Sequence, residues 1–266
     1  MLDRFERKIN YLRISVTDRC NLRCLYCVTG EKLKLLPKEN ILSYEEIRDV
    51  VDVAASFGVD KIRLTGGEPL VRLDIVKLVE MISKSGKIKD ISMTTNGMLL
   101  ESFARPLAEA GLQRINISLD TLDPEKFRRM TRRGDINKVF AGIEAAKKYG
   151  LNPIKINCVV KKNSDEPNAS QVKEYCLKNG LQPRFIKQMN LRTGVFSTVE
   201  GGTGGNCEKC NRLRLTSDGK IKPCLFSDIE YDIKKYGTMK AFELALEAKP
   251  ERGSQNNVNV FSNIGG

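Results

Sequence analysis

The chain has 266 residues, 41% hydrophobic and 29% charged, the make-up of a globular protein with room for one large domain or a domain with an appendage. Lys and Arg total 45 against 33 Asp and Glu, a formal +12 that implies an anionic partner, and histidine is absent, which removes the commonest general base and metal ligand. The charged opening of residues 1–10 and the lack of any long apolar run exclude a secretory signal and a membrane span, so a cytoplasmic location is expected; no Lys/Arg block or aromatic pattern points to nucleic acid.

Six short β-branched runs recur along the chain, at residues 12–16, 61–64, 91–95, 114–119, 154–160 and 184–189, each patterned as a buried strand. Helical patterns lie between them. Ser43-Tyr44-Glu45-Glu46 opens the first like a capping box, and Ile47, Val50, Val51 and residues 53–55 continue its apolar face. The others span residues 74–83, 100–110, 137–149 and 170–179, and Gly58, Gly111, Gly150 and Gly180 sit where C-terminal caps belong. Strand–helix alternation of this kind predicts a parallel sheet. No dinucleotide fingerprint follows the first strand, so the fold class expected is α/β, a partial (β/α)6 TIM-type barrel over residues 1–190, with chemistry at the C-terminal strand ends. Residues 191–266 read as a small C-terminal iron–sulfur subdomain. Residues 200–205 are a flexible linker by composition, and residues 252–266 a polar, poorly periodic tail.

Cys20-x3-Cys24-x2-Cys27 directly follows the first strand. Three thiolates in a short loop can close around one [4Fe–4S] cubane and leave its fourth iron open. An open iron can chelate the amino and carboxylate groups of S-adenosylmethionine (SAM), whose one-electron cleavage yields a 5′-deoxyadenosyl radical. A zinc knuckle would want a fourth ligand close by, and no histidine exists; chance cysteines are a third reading. Gly66-Gly67-Glu68-Pro69 follows the second strand, where Glu68 is placed to receive the SAM ammonium. Thr94, Thr95 and Asn96 end the third strand, and Ser118 and Asp120 the fourth; small polar residues there suit ribose hydroxyls.

Cys207-x2-Cys210-x13-Cys224 is a second three-thiolate set. It fits another cluster with an open iron, here for a substrate heteroatom, or a zinc ribbon completed by Cys158 or Cys176, which otherwise read as buried core thiols. Between its ligands, alternation puts Arg212 and Arg214 on one side of an extended segment. Arg13, Lys61, Arg63, Lys155 and Arg184 lie on the inner strands with no comparable set of carboxylates, a pattern that favours a polyphosphate ligand.

With these residues the chain resembles the GTP 3′,8-cyclase family of radical SAM enzymes, which opens molybdenum cofactor biosynthesis. The likeness runs from Leu2 to Met189, through Leu12-Arg13-Ile14-Ser15-Val16-Thr17-Asp18-Arg19-Cys20-Asn21-Leu22-Arg23-Cys24, and resumes at Cys207-Glu208-Lys209-Cys210-Asn211-Arg212-Leu213-Arg214 and Lys222-Pro223-Cys224. It implies two [4Fe–4S] clusters and SAM as cofactors, GTP as substrate and an electron donor of flavodoxin or ferredoxin type. It implies no nucleic acid and no membrane, and leaves a homodimer open. Cys20, Cys24, Cys27, Arg212 and Arg214 would be the catalytic set. Tyr26, Gly67, Glu68, Asn96, Ser118 and Met189 would contact SAM. Arg13, Lys61, Arg63, Thr94, Lys155, Arg184, Arg212, Arg214 and the closing Gly265-Gly266 pair would contact GTP. The tail is then expected inside the active site rather than disordered. The adenosyl radical would take the ribose 3′ hydrogen, and the C3′ radical would attack guanine C8. Three departures stand out: several tens of residues are missing between Met189 and Gly194, Val28-Thr29 replaces the usual Met-Pro, and the usual histidine near Lys249-Pro250 is absent. A related radical SAM maturase acting on a peptide is the alternative that fits a shortened C-terminal region, and a non-enzymatic iron–sulfur or zinc protein is a third.

Overall fold

The structure is a computed structural model and describes residues 1–27 and 35–265. Val28, Thr29 and Gly266 lie outside the described residues.

Six strands alternate with helices as the periodicity predicts. They are β1 (Tyr11–Ser15), β2 (Lys61–Thr65), β3 (Asp90–Thr95), β4 (Arg114–Ser118), β5 (Ile154–Val160) and β6 (Gln182–Lys187), all parallel. The intervening helices are α1 (Tyr44–Ser56), α2 (Ile75–Lys84), α3 (Leu100–Glu109), α4 (Pro124–Thr131), α5 (Ile136–Lys148) and α6 (Pro167–Lys178). The Ser43 box is made in full: the hydroxyl accepts from Glu46 N at 3.0 Å, and Glu46 Oε2 accepts from Ser43 N at 2.7 Å. Gly58, Gly111, Gly150 and Gly180 all take positive φ after their helices. α4 has no counterpart in the apolar pattern because only Phe127 and Thr131 of its eight residues are buried. Its start signals are nonetheless present: the Asp123 carboxylate accepts from Lys126 N, and Pro124 stands at the first helical position.

The C-terminal segment joins the same sheet. β7 (Arg212–Leu215) runs parallel to β1, and β8 (Lys220–Lys222) and β9 (Tyr231–Asp232) follow antiparallel. The strand order is β6-β5-β4-β3-β2-β1-β7-β8-β9, an unclosed sheet with helices packed on the outer faces of the parallel strands. α7 (Ile233–Tyr236), α8 (Thr238–Glu247) and α9 (Phe261–Ile264) complete the chain. Alternation along each parallel strand sends Leu12, Ile14, Ile62, Leu64, Ile115 and Ile117 outward into one continuous apolar core against the helices. The other face turns inward and carries charge and hydroxyls. Among the described residues no helix is long and apolar enough to cross a membrane.

Two composition-based expectations change. Residues 200–205 are not a free linker. Val199 N donates to Gly204 O at 2.8 Å and Gly202 N to Val199 O at 3.1 Å, while Glu200 exchanges backbone hydrogen bonds with Phe185. The glycines are there because the turn needs them: Gly201 and Gly205 have φ of 75°, and a Cβ on either would strike a backbone carbonyl. The tail is ordered too. Asn256 is buried, its N donating to Leu191 O at 2.7 Å and its Nδ2 to Leu225 O at 2.9 Å. A small second core of Leu191, Leu225, Phe226 and Ile264 fastens the strap of residues 190–205, the cysteine segment and the tail together.

Candidate active site

β1 ends at Ser15, and the chain continues over the C-terminal end of β2 before reaching the first cysteines. Gly67 N donates to Thr17 O at 2.7 Å and Glu68 N to Arg19 O at 2.8 Å. A Cβ at Gly67 would overlap the Arg19 carbonyl, so these glycines serve a close approach between two stretches of the chain as well as bordering a cavity. That cavity holds about 200 Å³ and is bordered by Cys20, Cys24 and Cys27 on one side, with Gly67, Thr94, Asn96, Ser118 and Met189 around it. Asn96 Nδ2 reaches Asn21 Oδ1 at 2.8 Å and lies 3.9 Å from Cys20 Sγ, tying the β3 end to the cysteine loop.

Two carboxyl groups are buried here. Glu68 accepts from Thr95 Oγ1 at 2.7 Å, Asn96 N at 2.7 Å and Leu70 N at 3.1 Å. Desolvation outweighs these donors and raises its pKa to about 7. Among the described residues only Asn96 N reaches Oε2, so a lone pair remains there for a ligand cation. Asp120 accepts from Val159 N at 2.7 Å, and burial raises its pKa to about 6. Tyr26 is pushed well above the usual phenol range by burial and by the nearby Asp120. Burial and mutual proximity lift the Cys24 and Cys27 thiols to about 12; metal binding is the interaction that reverses such a shift.

A second cavity of about 280 Å³ adjoins the first, and Asn157, Ile186 and Met189 border both. Cys207, Cys210 and Cys224 border it at one side. The β1–β7 register sets Arg212 beside Tyr11 and Arg214 beside Arg13, so both arginines face inward as the alternation predicts. Arg13, Lys61, Arg63 and Arg184 also line the cavity. Burial and mutual repulsion depress the pKa values of Arg13, Arg63 and Arg184, and Arg214 falls to about 10. Guanidinium groups do not deprotonate near neutral pH, so these shifts record a field that favours an anion. Tyr11 Oη, Arg184 Nε and Arg212 Nε are buried without a hydrogen-bond partner among the described residues, pointing to the same need.

The remaining site residues divide. Thr94 borders the cysteine-loop cavity rather than the basic one, its buried Oγ1 without a partner among the described residues. Lys155 lies off both linings, yet close enough to Arg184, Arg114 and Arg63 that burial and these cations bring it to about 8. Gly265 enters the barrel: its carbonyl accepts from Arg214 Nη1, and its Cα packs against Thr65. Cys158 and Cys176 are buried in β5 and α6 and border neither cavity, which removes them as a fourth ligand to Cys207, Cys210 and Cys224. All eight cysteines are free, and among the described residues no three His, Cys, Asp or Glu side chains close on a single metal ion. Three thiols spread around a hollow suit a multi-iron cluster better than one tetrahedral zinc.

Several residues of the site escape the motif reading. Tyr11 lies between the guanidinium groups of Arg63 and Arg212, 5.6 and 5.9 Å from its ring centre. Arg114 reaches the basic cavity but is held by Asp90, its Nε 2.7 Å from Oδ1. Lys249 is fully buried; its ammonium donates to Arg212 O and Pro223 O, each at 2.8 Å, and lies 3.5 Å from Cys210 Sγ. Arg7, paired with Asp3, spans Cys207 O at 2.8 Å and Pro250 O at 2.8 Å. Both fix the second cysteine segment through backbone carbonyls, which leave no side-chain signature in a sequence.

Comparison with known proteins agrees with this arrangement. Residues 14–169 match the radical SAM superfamily and residues 157–254 the Molybdenum Cofactor Synthesis C family. The chain is 42% identical to a GTP 3′,8-cyclase of Thermodesulfovibrio yellowstonii over 88% of this chain and 87% of that one, and 37% identical to one of Petrotoga mobilis over 94% of each. The first alignment runs over 281 positions, so that relative carries tens of residues without a counterpart here. Among solved structures, native anSMEcpe with bound AdoMet superposes with a TM-score of 0.62 at 19% identity, over 88% of this chain and 80% of that one. Streptococcus suis SuiB bound to precursor peptide SuiA gives 0.64 at 17%, over 94% and 76%. These two bear on the fold alone. The unclosed parallel barrel, its cysteine loop after the first strand and the relatives at 37–42% identity place this chain in the GTP 3′,8-cyclase family of radical SAM enzymes, built around SAM and an iron–sulfur cluster.

Proposed function

We propose that this protein is a GTP 3′,8-cyclase, a lyase-type cyclase that converts GTP to (8S)-3′,8-cyclo-7,8-dihydroguanosine 5′-triphosphate at the start of molybdenum cofactor biosynthesis. One observation carries the reading: two adjoining cavities each meet a three-cysteine set, and inward arginines and lysines line the one that must take the nucleotide.

Bound SAM and cluster would supply an adenosyl radical in the cavity of Cys20, Cys24 and Cys27. Glu68, through its free lone pair on Oε2, receives the SAM ammonium, while Gly67, Asn96, Ser118 and Met189 shape the pocket for the rest of the cofactor. Cys207, Cys210 and Cys224 hold a second cluster for the guanine end. Residues 191–266 act as the unit that carries it. Arg13, Lys61, Arg63 and Arg184 bind the triphosphate with Arg212 and Arg214, and Lys155 adds charge behind them. Such charge-assisted bidentate contacts fix position as well as affinity. Gly265, drawn in by Arg214, closes the barrel beside Thr65. The reductant is a flavodoxin- or ferredoxin-type donor.

The test is nucleotide dependence. Reduced, cluster-loaded protein with SAM should form 5′-deoxyadenosine in step with GTP loss. SAM cleavage indifferent to GTP would contradict cyclisation and favour a peptide-modifying relative.

A further inference from the structure

Beside the first cysteine loop lies a surface that substrate chemistry does not use. The C-terminal end of α4 and the turn after it read Arg128-Arg129-Met130-Thr131-Arg132-Arg133, with all four arginines exposed. None has an ion pair among the described residues. The nearest acidic residues along the chain are Glu125 at the far end of the helix and Asp135, which accepts from Asn137 N as the cap of α5. Cations near a helix C-terminus are favoured by its dipole, and that accounts for Arg128 and Arg129. It does not account for Arg132, whose φ of 63° is a left-handed position usually given to Gly or Asn, at a cost of about 1 kcal/mol.

The cysteine loop is bonded to this same end. Arg23 N donates to Thr131 O at 3.1 Å and Leu25 N to Met130 O at 3.0 Å. Leu25, between Cys24 and Tyr26, is 47% exposed. The loop that presents this apolar side chain next to a cluster ligand is thus bonded to a helix end whose four arginines have no carboxylate partner among the described residues. An exposed apolar residue beside a cluster of such cations suits a short-lived electrostatic contact, in which the charge sets the encounter rate.

We propose that the C-terminal end of α4, together with the exposed Leu25 bonded to it, is the docking surface for a small acidic protein that delivers single electrons to the cluster of Cys20, Cys24 and Cys27. The inference rests on that cluster assignment. Each docking event passes one electron from the donor's flavin or iron–sulfur centre to the cluster, with no bond made or broken. The surface lies outside both cavities, so donor and substrate do not compete for space.

The test compares two reductants on cluster-loaded protein: dithionite, which needs no docking, and a reduced acidic flavodoxin. The variants are Arg128→Glu/Arg129→Glu/Arg132→Glu/Arg133→Glu and the milder Arg132→Gln/Arg133→Gln. Expected is a drop of about tenfold or more in the second-order flavodoxin rate for the charge reversal, with a smaller drop for the neutral pair. The wild-type rate should fall steeply with salt, and dithionite reduction should stay unchanged in all three proteins. A flavodoxin rate unaltered by the charge reversal would overturn the proposal, as would loss of polyanion binding alone, which would mark the patch as a nucleic-acid surface. Absence of any cluster signal with dithionite would instead remove the cluster assignment, and the docking surface with it.

Discussion

On the proposed assignment Cys24 is the residue on which the first site turns most sharply, because a cubane left with two protein ligands would not hold SAM at a defined iron. Cys24→Ala should abolish SAM cleavage, measured as 5′-deoxyadenosine formed, while iron bound at the second site persists. Arg212→Ala with Arg214→Ala should weaken GTP binding by about tenfold or more, as loss of charge-assisted contacts implies, and uncoupled SAM cleavage should survive; unchanged affinity by equilibrium binding would remove these arginines from the site. Lys249→Met strips the donors from two buried carbonyls at about 1–3 kcal/mol each. Iron at the second site and the thermal midpoint should both fall, whereas a purely peripheral lysine would move neither. The buried acids give a pH signature. Glu68 and Asp120 have folded pKa values of about 7 and 6 against ordinary values of 4.5 and 3.8, so between pH 4 and 7 the folded state binds more protons than the unfolded one. Their contribution is complete below pH 4 and is lost as pH rises through 6 and 7. The thermal midpoint of cluster-free protein should therefore decline from pH 5 to 7.5, and Glu68→Gln should flatten that decline; a midpoint rising over this range would contradict the burial of both acids.

At the scale of elements, strand periodicity carried most of the fold. Runs such as 12–16 and 154–160 alternate because their outward residues meet helices and their inward ones meet ligand-binding space, and the pattern survives translation into residues within one or two positions. What composition misread were the strap of residues 190–205 and the tail. Their order comes from backbone bonds to distant partners, Glu200 to Phe185 and Asn256 to Leu191, which no local pattern encodes. The motif resemblance recovered the tail because Gly265 is specified by its φ of 67° and by the Thr65 contact. α4 was missed because a helix with one buried aromatic has no apolar stripe. Two element-level outcomes follow. Gly67→Val should dislodge the cysteine loop from the β2 end and abolish SAM cleavage, with iron remaining at the second site. Gly265→Val should raise the KM for GTP and lower turnover while GTP-independent SAM cleavage continues.

Over the whole molecule, a single unclosed sheet carries both cysteine sets, the first on the loop after β1 and the second flanking β7, the strand that pairs with β1. This pairing is why sites 180 residues apart in sequence meet adjoining cavities. Cysteine spacing and inward cations made the two halves legible separately, and the register of β1 with β7 joins them. Metal content in cysteine-triple variants tests the arrangement most directly. Wild-type protein should bind about eight irons per chain. Cys207→Ala/Cys210→Ala/Cys224→Ala should keep about four and still cleave SAM, and Cys20→Ala/Cys24→Ala/Cys27→Ala should keep about four and cleave none. One zinc in place of the second four irons, or SAM cleavage surviving loss of the first three cysteines, would contradict it.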